Sequence, residues 1–169
     1  MNEQKFQNIY HLTYPKISRY VVSKCRNIED VKDILQNIYM DVYKKMNKID
    51  FIENEAYLHT LTKNKVNQYY RFKFKHKDQI VSIEDEIKDD IDISRDMVIK
   101  ASVEEVWNFI KRKPVIISKI FYFYFYLELT IKEIAQELNI SESNVKNYLY
   151  RTINEIKFEL ERNDVYDNI

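Results

Sequence analysis

Ser143, Asn144, Lys146, Asn147, Tyr150 and Arg151 gather hydrogen-bonding side chains into one short stretch. An asparagine amide pairs bidentately with adenine, and a lysine reaches guanine or a phosphate. Arg151, one turn further on, suits a phosphate. A second concentration is the run Arg71-Phe72-Lys73-Phe74-Lys75-His76-Lys77, where cations alternate with rings. Cations neutralise phosphates while rings stack on unpaired bases; the plainer reading of that run is a solvated, charged helix end. A third concentration is acidic, with Glu84, Asp85, Glu86, Asp89, Asp90 and Asp92. A two-metal nuclease would need such carboxylates on ordered flanks with a partner histidine, which this run lacks. His11, His59 and His76 are scattered, and with Cys25 they give no metal-ligand spacing. No catalytic residue, metal or cofactor is expected, and the chain does not read as an enzyme.

The first concentration needs an element to present it. In Thr130 to Arg151, Ile131, Ile134, Ala135 and Leu138 fall at i, i+3, i+4 and i+7, the stripe of an amphipathic helix. Thr130 with Glu133 spells a capping box, so that helix starts at Thr130. Asn139 follows the last apolar residue and tolerates the left-handed conformation that a tight turn requires. Ile140 plugs the corner and Ser141 caps a second helix, whose inward stripe is Val145, Leu149, Ile153 and Ile156. Ala135 is small where the helices cross. This is the grammar of a helix-turn-helix. A helical hairpin inside a bundle is the bland alternative.

The second concentration ends a longer helical front half. Residues 4–24 read as helix, with a kink or break expected around Tyr14 because Pro15 interrupts it. A second helix opens at Ile28-Glu29-Asp30, with Val31, Ile34, Leu35, Ile38, Val42 and Met46 inward. Asp33, Asn37, Met40, Asp41 and Lys44 lie opposite, where Met40 suits a partner contact or is simply exposed. Residues 47–55 read as a loop with two exposed apolar residues, Phe51 and Ile52. A third helix starts near Ala56, with Leu58, Leu61, Val66 and Tyr69 inward. Its Asn64, Asn67, Arg71 and Lys75 make a polar, increasingly basic face.

Composition agrees with a helical, soluble chain. The 169 residues include no Gly and two Pro, so Gly-rich phosphate loops are excluded. The net charge of zero hides a gradient: residues 1–79 carry 15 Lys and Arg against 9 Asp and Glu, whereas residues 80–98 carry 2 against 7. Residues 78–98 read as an acidic linker, solvated or crossing a basic surface. Behind it, a helix from Val98 to Ile110 places Val103, Val106, Trp107 and Ile110 inward. Pro114 starts another helix that runs to Leu127, with Ile117, Ile120, Phe121, Tyr124 and Leu127 at helical spacing. No signal peptide and no membrane span are expected, and a cytoplasmic location follows. The fold class is all-α: an N-terminal helical domain at 1–77, the linker, and a C-terminal helix-turn-helix domain at 99–169.

Four pieces together resemble bacterial RNA polymerase sigma factors of the extracytoplasmic-function (ECF) group. They are the Tyr14-Pro15 step, D-V-K-D-I-L-Q-N-I-Y-M-D-V-Y-K-K at 30–45, A-Y-L-H-T-L-T-K-N-K-V-N-Q-Y-Y-R at 56–71, and the hairpin at 129–151. The resemblance implies two domains, one for the minus-ten promoter element and one for the minus-thirty-five. It makes the helix at 30–45 the dock for polymerase core, with Asp30, Asp33, Gln36, Asn37, Met40 and Asp41 as contact candidates. It assigns Phe51, Tyr57, Lys63, Asn64, Asn67, Arg71, Lys73 and Lys75 to the melted minus-ten strand, Tyr57 serving as an aromatic platform beside a flipped base. Ser143, Asn144, Lys146, Asn147, Tyr148, Tyr150 and Arg151 would read the minus-thirty-five duplex. Tyr148 stands where many members have Arg, Asn144 where Thr is usual, and Thr62 and Gln68 replace a common Ala and Asp. The implied partners are polymerase core, promoter DNA and an anti-sigma factor, with no small-molecule substrate. The competing reading is a stand-alone helix-turn-helix regulator, which would bind a symmetric operator without polymerase.

Overall fold

The structure is a computed structural model that describes residues 2–74 and 103–166, with side chains described to residue 160. Lys75, the acidic linker at 78–98 and the expected helix start at Val98 lie outside the described residues. The chain divides into two compact units, Met1–Val81 and Ser82–Ile169. Every element among the described residues is helical, as the periodicity predicts.

The first unit packs α1 (Asn2–Lys24), α2 (Asp30–Lys45) and α3 (Glu55–Phe74) against one another. The expected break at Tyr14 does not occur: α1 passes through Pro15 without interruption. Proline removes the N–H that would bond the carbonyl of residue 11. His11 and Pro15 are both exposed, so that acceptor lies on the side of α1 open to water. The buried side of α1, Ile9, Thr13, Ile17, Ser18, Val21 and Val22, keeps its ladder against the core. There Thr13 Oγ1 donates to the Ile9 carbonyl at 2.6 Å, and Ser18 Oγ to the Tyr14 carbonyl at 2.6 Å. Burial holds the packing in place and outweighs a helix breaker on the wet side.

All six expected core positions of α2, Val31 through Met46, are buried. Two expectations in this unit need correction. Phe51, read as an exposed loop residue, is fully buried at 0 % exposure. Asp50 Oδ1 accepts the backbone N–H of Ile52 at 2.9 Å and of Glu53 at 3.1 Å, and this tight turn drives the Phe51 ring under Tyr57. Those two N–H groups also hold the Asp50 carboxyl below its usual range. In α3 the buried tyrosine is Tyr70, with Tyr69 only half-buried, because the inward stripe Leu58, Leu61, Thr62, Val66 advances one residue by the last turn.

The second unit contains α4 (Val103–Lys111), α5 (Val115–Phe121), α6 (Ile131–Leu138) and α7 (Glu142–Tyr166). Val103, expected inward, is 74 % exposed, and only Ile110 of α4 is fully buried. The aromatic run after α5 is helical rather than extended, but it winds as a π-helical turn over Tyr122–Tyr126. The Leu127 N–H reaches back to the Tyr122 carbonyl at 3.1 Å. The wider turn rotates Phe123 into the core, where it is fully buried, and leaves Tyr124 half-buried. Glu128 then takes a positive φ of 53°, and the Leu129 N–H closes onto the Phe123 carbonyl at 2.9 Å. This sharp corner aims the chain into α6.

Candidate nucleic-acid interface

The helical hairpin forms as its local chemistry dictates. Thr130 Oγ1 accepts the Glu133 N–H at 3.3 Å while the Glu133 carboxylate accepts the Thr130 N–H at 2.9 Å, a complete capping box. Asn139 closes α6 in the left-handed region at φ 55°, ψ 47°. The Ile140 N–H then bonds the Ala135 carbonyl at 3.0 Å and the Asn139 N–H the Gln136 carbonyl at 3.3 Å, a Schellman ending. Ser141 Oγ accepts the Asn144 N–H at 3.1 Å and starts α7. Ile134, Ala135, Val145, Leu149, Ile153 and Ile156 are all buried at the crossing.

That burial fixes which side of α7 faces outward. Ser143, Asn144, Lys146 and Arg151 are exposed, and Asn147, Tyr148 and Tyr150 are half-buried along the flanks. Arg151 Nε also donates to Glu155 at 3.1 Å, and Lys113 approaches the same carboxylate at 2.7 Å. Burial acts to raise the Glu155 carboxyl, but the two cations prevail and hold it below its ordinary value. Glu155 thereby holds the Arg151 guanidinium by its Nε edge.

In the first unit, Lys63, Asn64, Asn67 and Arg71 stand exposed on one side of α3. Tyr57 is half-buried over Phe51, with ring centroids 5.9 Å apart, and Lys45 Nζ donates to its hydroxyl at 3.2 Å. Asn54 caps α3 by accepting the Tyr57 N–H at 3.3 Å. Phe51 belongs beneath this surface, not on it. Lys73 is drawn aside too: its ammonium pairs with Asp30.

The candidate docking face of α2 divides in the same way. Asp33, Gln36, Asn37 and Met40 are exposed. Asp41 is half-buried in an ion pair with Lys65 at 2.9 Å. Asp30 is not on this face at all. Its residue is 4 % exposed, and its carboxylate accepts from Tyr69 Oη at 3.0 Å, Tyr70 Oη at 3.2 Å and Lys73 Nζ. Burial and this carboxylate raise the Tyr69 hydroxyl to about 12 and push Tyr70 higher still. The early carboxylate that suggested a helix start thus also clasps the last turns of α3.

Sequence reasoning missed one feature. An open groove of about 910 Å³ runs between the end of α1 and the second half of α3, bringing Tyr20, Lys24 and Arg26 opposite Lys63, Asn67 and Arg71. The α1 residues are distant in sequence from the basic run, and periodicity on one helix gives no sign of what a neighbouring helix contributes. No group of His, Cys, Asp or Glu among the described residues is arranged to hold a metal ion. No helix of the described residues is long and apolar enough to cross a membrane.

A capped helix-turn-helix with a polar outward helix is the arrangement that DNA-binding domains of the all-α class use. Residues 118–156 match the family described as Sigma-70, region 4. Over 152 residues the chain is 24% identical to the ECF RNA polymerase sigma factor SigM of Bacillus subtilis (strain 168), covering 88% of this chain and 91% of that protein. The two findings support an ECF-type sigma factor.

Proposed function

We propose that the protein binds RNA polymerase core in the cytoplasm and directs it to promoters. The first unit meets the melted minus-ten strand and the second the minus-thirty-five duplex. The observation that carries this reading is the pairing of two separate nucleic-acid-compatible surfaces on one chain. One is the outward side of α7, with Asn144, Lys146 and Asn147; the other is the exposed row Lys63, Asn64, Asn67 and Arg71 on α3. A regulator with a single helix-turn-helix has no use for the second.

Each unit then has a defined task. On α7, Asn144 and Asn147 offer amides to base edges, Tyr148 and Tyr150 flank them, and Lys146 and Arg151 meet phosphates. On α3, Asn64 reads a base that has left the stack, and the Tyr57 ring supplies a platform held by Phe51 below and Lys45 at its rim. Extruding a base costs a few kcal/mol, which stacking and phosphate contacts offset. Asp33, Gln36, Asn37 and Met40 form the core-polymerase contact on α2, with Asp41 at its edge. An anti-sigma factor covering that face is the matching mode of control.

Run-off transcription with core polymerase, with and without this protein, on genomic DNA fragments tests the proposal. Promoter-specific transcripts that depend on the protein are expected. Core that neither binds the protein nor changes its transcripts would overturn the reading. Within a working holoenzyme, Asn64→Ala should impair promoter opening while core binding persists, and unchanged open-complex formation would remove Asn64 from the pocket.

A further inference from the structure

Among the described residues, the groove between α1 and α3 is lined by four cationic side chains, Lys24, Arg26, Lys63 and Arg71, and by no carboxylate. No ion pair within the described residues engages Lys24, Lys63 or Arg71. Phe72 at 73 % and Phe74 at 51 % exposure are the large apolar residues of the same wall. The Arg26 guanidinium lies 4.1 Å from the centre of the Phe74 ring, so this cation is held against that ring at the groove's edge. Its backbone N–H separately donates to Tyr70 Oη at 2.6 Å, which ties the turn after α1 to the Asp30 clasp. Tyr20 completes the opposite wall, 5.2 Å from His59.

Like charges gathered without counter-charges repel one another, and an anionic occupant relieves that repulsion. The exposed rings narrow the choice. A duplex offers phosphates but hides its base faces, whereas an unpaired strand offers both, and every base has a face to stack. The groove is also open rather than enclosed, which suits a polymer more than a small anion.

We propose that this groove is a second segment of the single-strand path, in which Lys24 and Arg26 bind backbone phosphates and Tyr20 and Phe72 stack unpaired bases. The strand that meets Asn64 on α3 continues past Asn67 and Arg71, which line the groove, to the end of α1. Identifying that strand as promoter DNA rests on the sigma-factor reading. The chemistry of the groove does not.

The test is the salt dependence of binding of the full chain to a 12-nucleotide oligothymidylate and to a 12-base-pair duplex, followed by fluorescence anisotropy. Two single-strand phosphate contacts contribute a slope of about 0.7 each in log K against log salt concentration. The Lys24→Gln/Arg26→Gln variant should therefore show a slope shallower by about 1.4 on the oligothymidylate, with little change on the duplex. Lys24→Arg/Arg26→Lys keeps both charges and should retain the wild-type slope, which separates charge from a folding defect. An unchanged slope for the Gln variant, an equal loss on duplex, or no binding of oligothymidylate by the wild-type chain would overturn the proposal. If run-off transcription fails while the slope shifts as expected, the promoter reading falls and the groove stands.

Discussion

Replacing Asp30 with Ala separates a stabilising role from a docking role. In the native chain this buried carboxylate accepts from Tyr69 at 3.0 Å, from Tyr70 at 3.2 Å and from the Lys73 ammonium. The three losses are unequal. Lys73 has a side chain 40% exposed and regains water, so its share is at most about 1 kcal/mol after solvent screening. Half-buried Tyr69 also turns to solvent. Tyr70 is 7 % exposed and is left with a donor that has no acceptor, at roughly 1–3 kcal/mol. With the loss of charge-assisted bonding, the total comes to about 2–4 kcal/mol, a large part of the stability of a unit this size.

The assay follows from composition. Trp107 is the chain's one tryptophan and lies in the second unit, so its fluorescence reports that unit alone. Urea unfolding of Asp30→Ala should shift the far-UV circular dichroism transition of the first unit and leave the Trp107 transition in place. Asp33→Ala, at an exposed position on the same helix, should leave both transitions unchanged and weaken binding to core polymerase. The reasoning is refuted if Asp30→Ala costs less than about 0.5 kcal/mol, the range of ordinary surface substitutions.

Three further outcomes follow from single contacts. Phe51→Ala should destabilise the first unit by about 3–5 kcal/mol in the same urea experiment, because the ring is fully enclosed; a loop residue would change little. Thr130→Ala removes an N-cap and should cost the second unit about 1 kcal/mol, read from the Trp107 transition. Glu155 has its folded value held below the reference of 4.5, so its contribution is present above that pH and is lost as pH falls through the depressed value. Glu155→Gln should accordingly flatten the acid limb of the second unit's stability below pH 4.5, and an unaltered limb would exclude the Lys113–Glu155–Arg151 cluster as its source.

The parts legible in the sequence are those where one short segment settles its own geometry. Thr130, Glu133, Asn139 and Ser141 each satisfy backbone groups within a few residues, so the hairpin was readable from residue type and spacing. The parts that were not legible depend on a distant partner. Pro15 looks like a break until the opposite side of α1 is seen to carry the whole packing load. Phe51 looks like a surface residue until the Asp50 turn folds it under Tyr57, and the wider π-helical turn buries Phe123 where the helical spacing pointed to Tyr124. Asp30 is the sharpest case, since the same carboxylate serves as a helix-start signal in sequence and as the anchor of α3 in space.

That distinction bears on the candidate site. Both proposed nucleic-acid surfaces use exposed residues, whose identity the core does not dictate, yet the one on α7 is braced by an ion pair at its margin. Half-buried Glu155 accepts from Arg151 Nε and leaves the rest of that guanidinium outward, whereas Asp30 draws the Lys73 ammonium away from the α3 surface. A charged side chain that must meet a phosphate loses less freedom on binding when one edge of it is already held. Substituting Glu155 should therefore weaken DNA binding without removing a DNA-contacting group. Glu155→Gln ought to reduce affinity for the minus-thirty-five duplex less than Arg151→Gln does, and in the double variant the two losses should not add. Full additivity would show that Arg151 acts without its support.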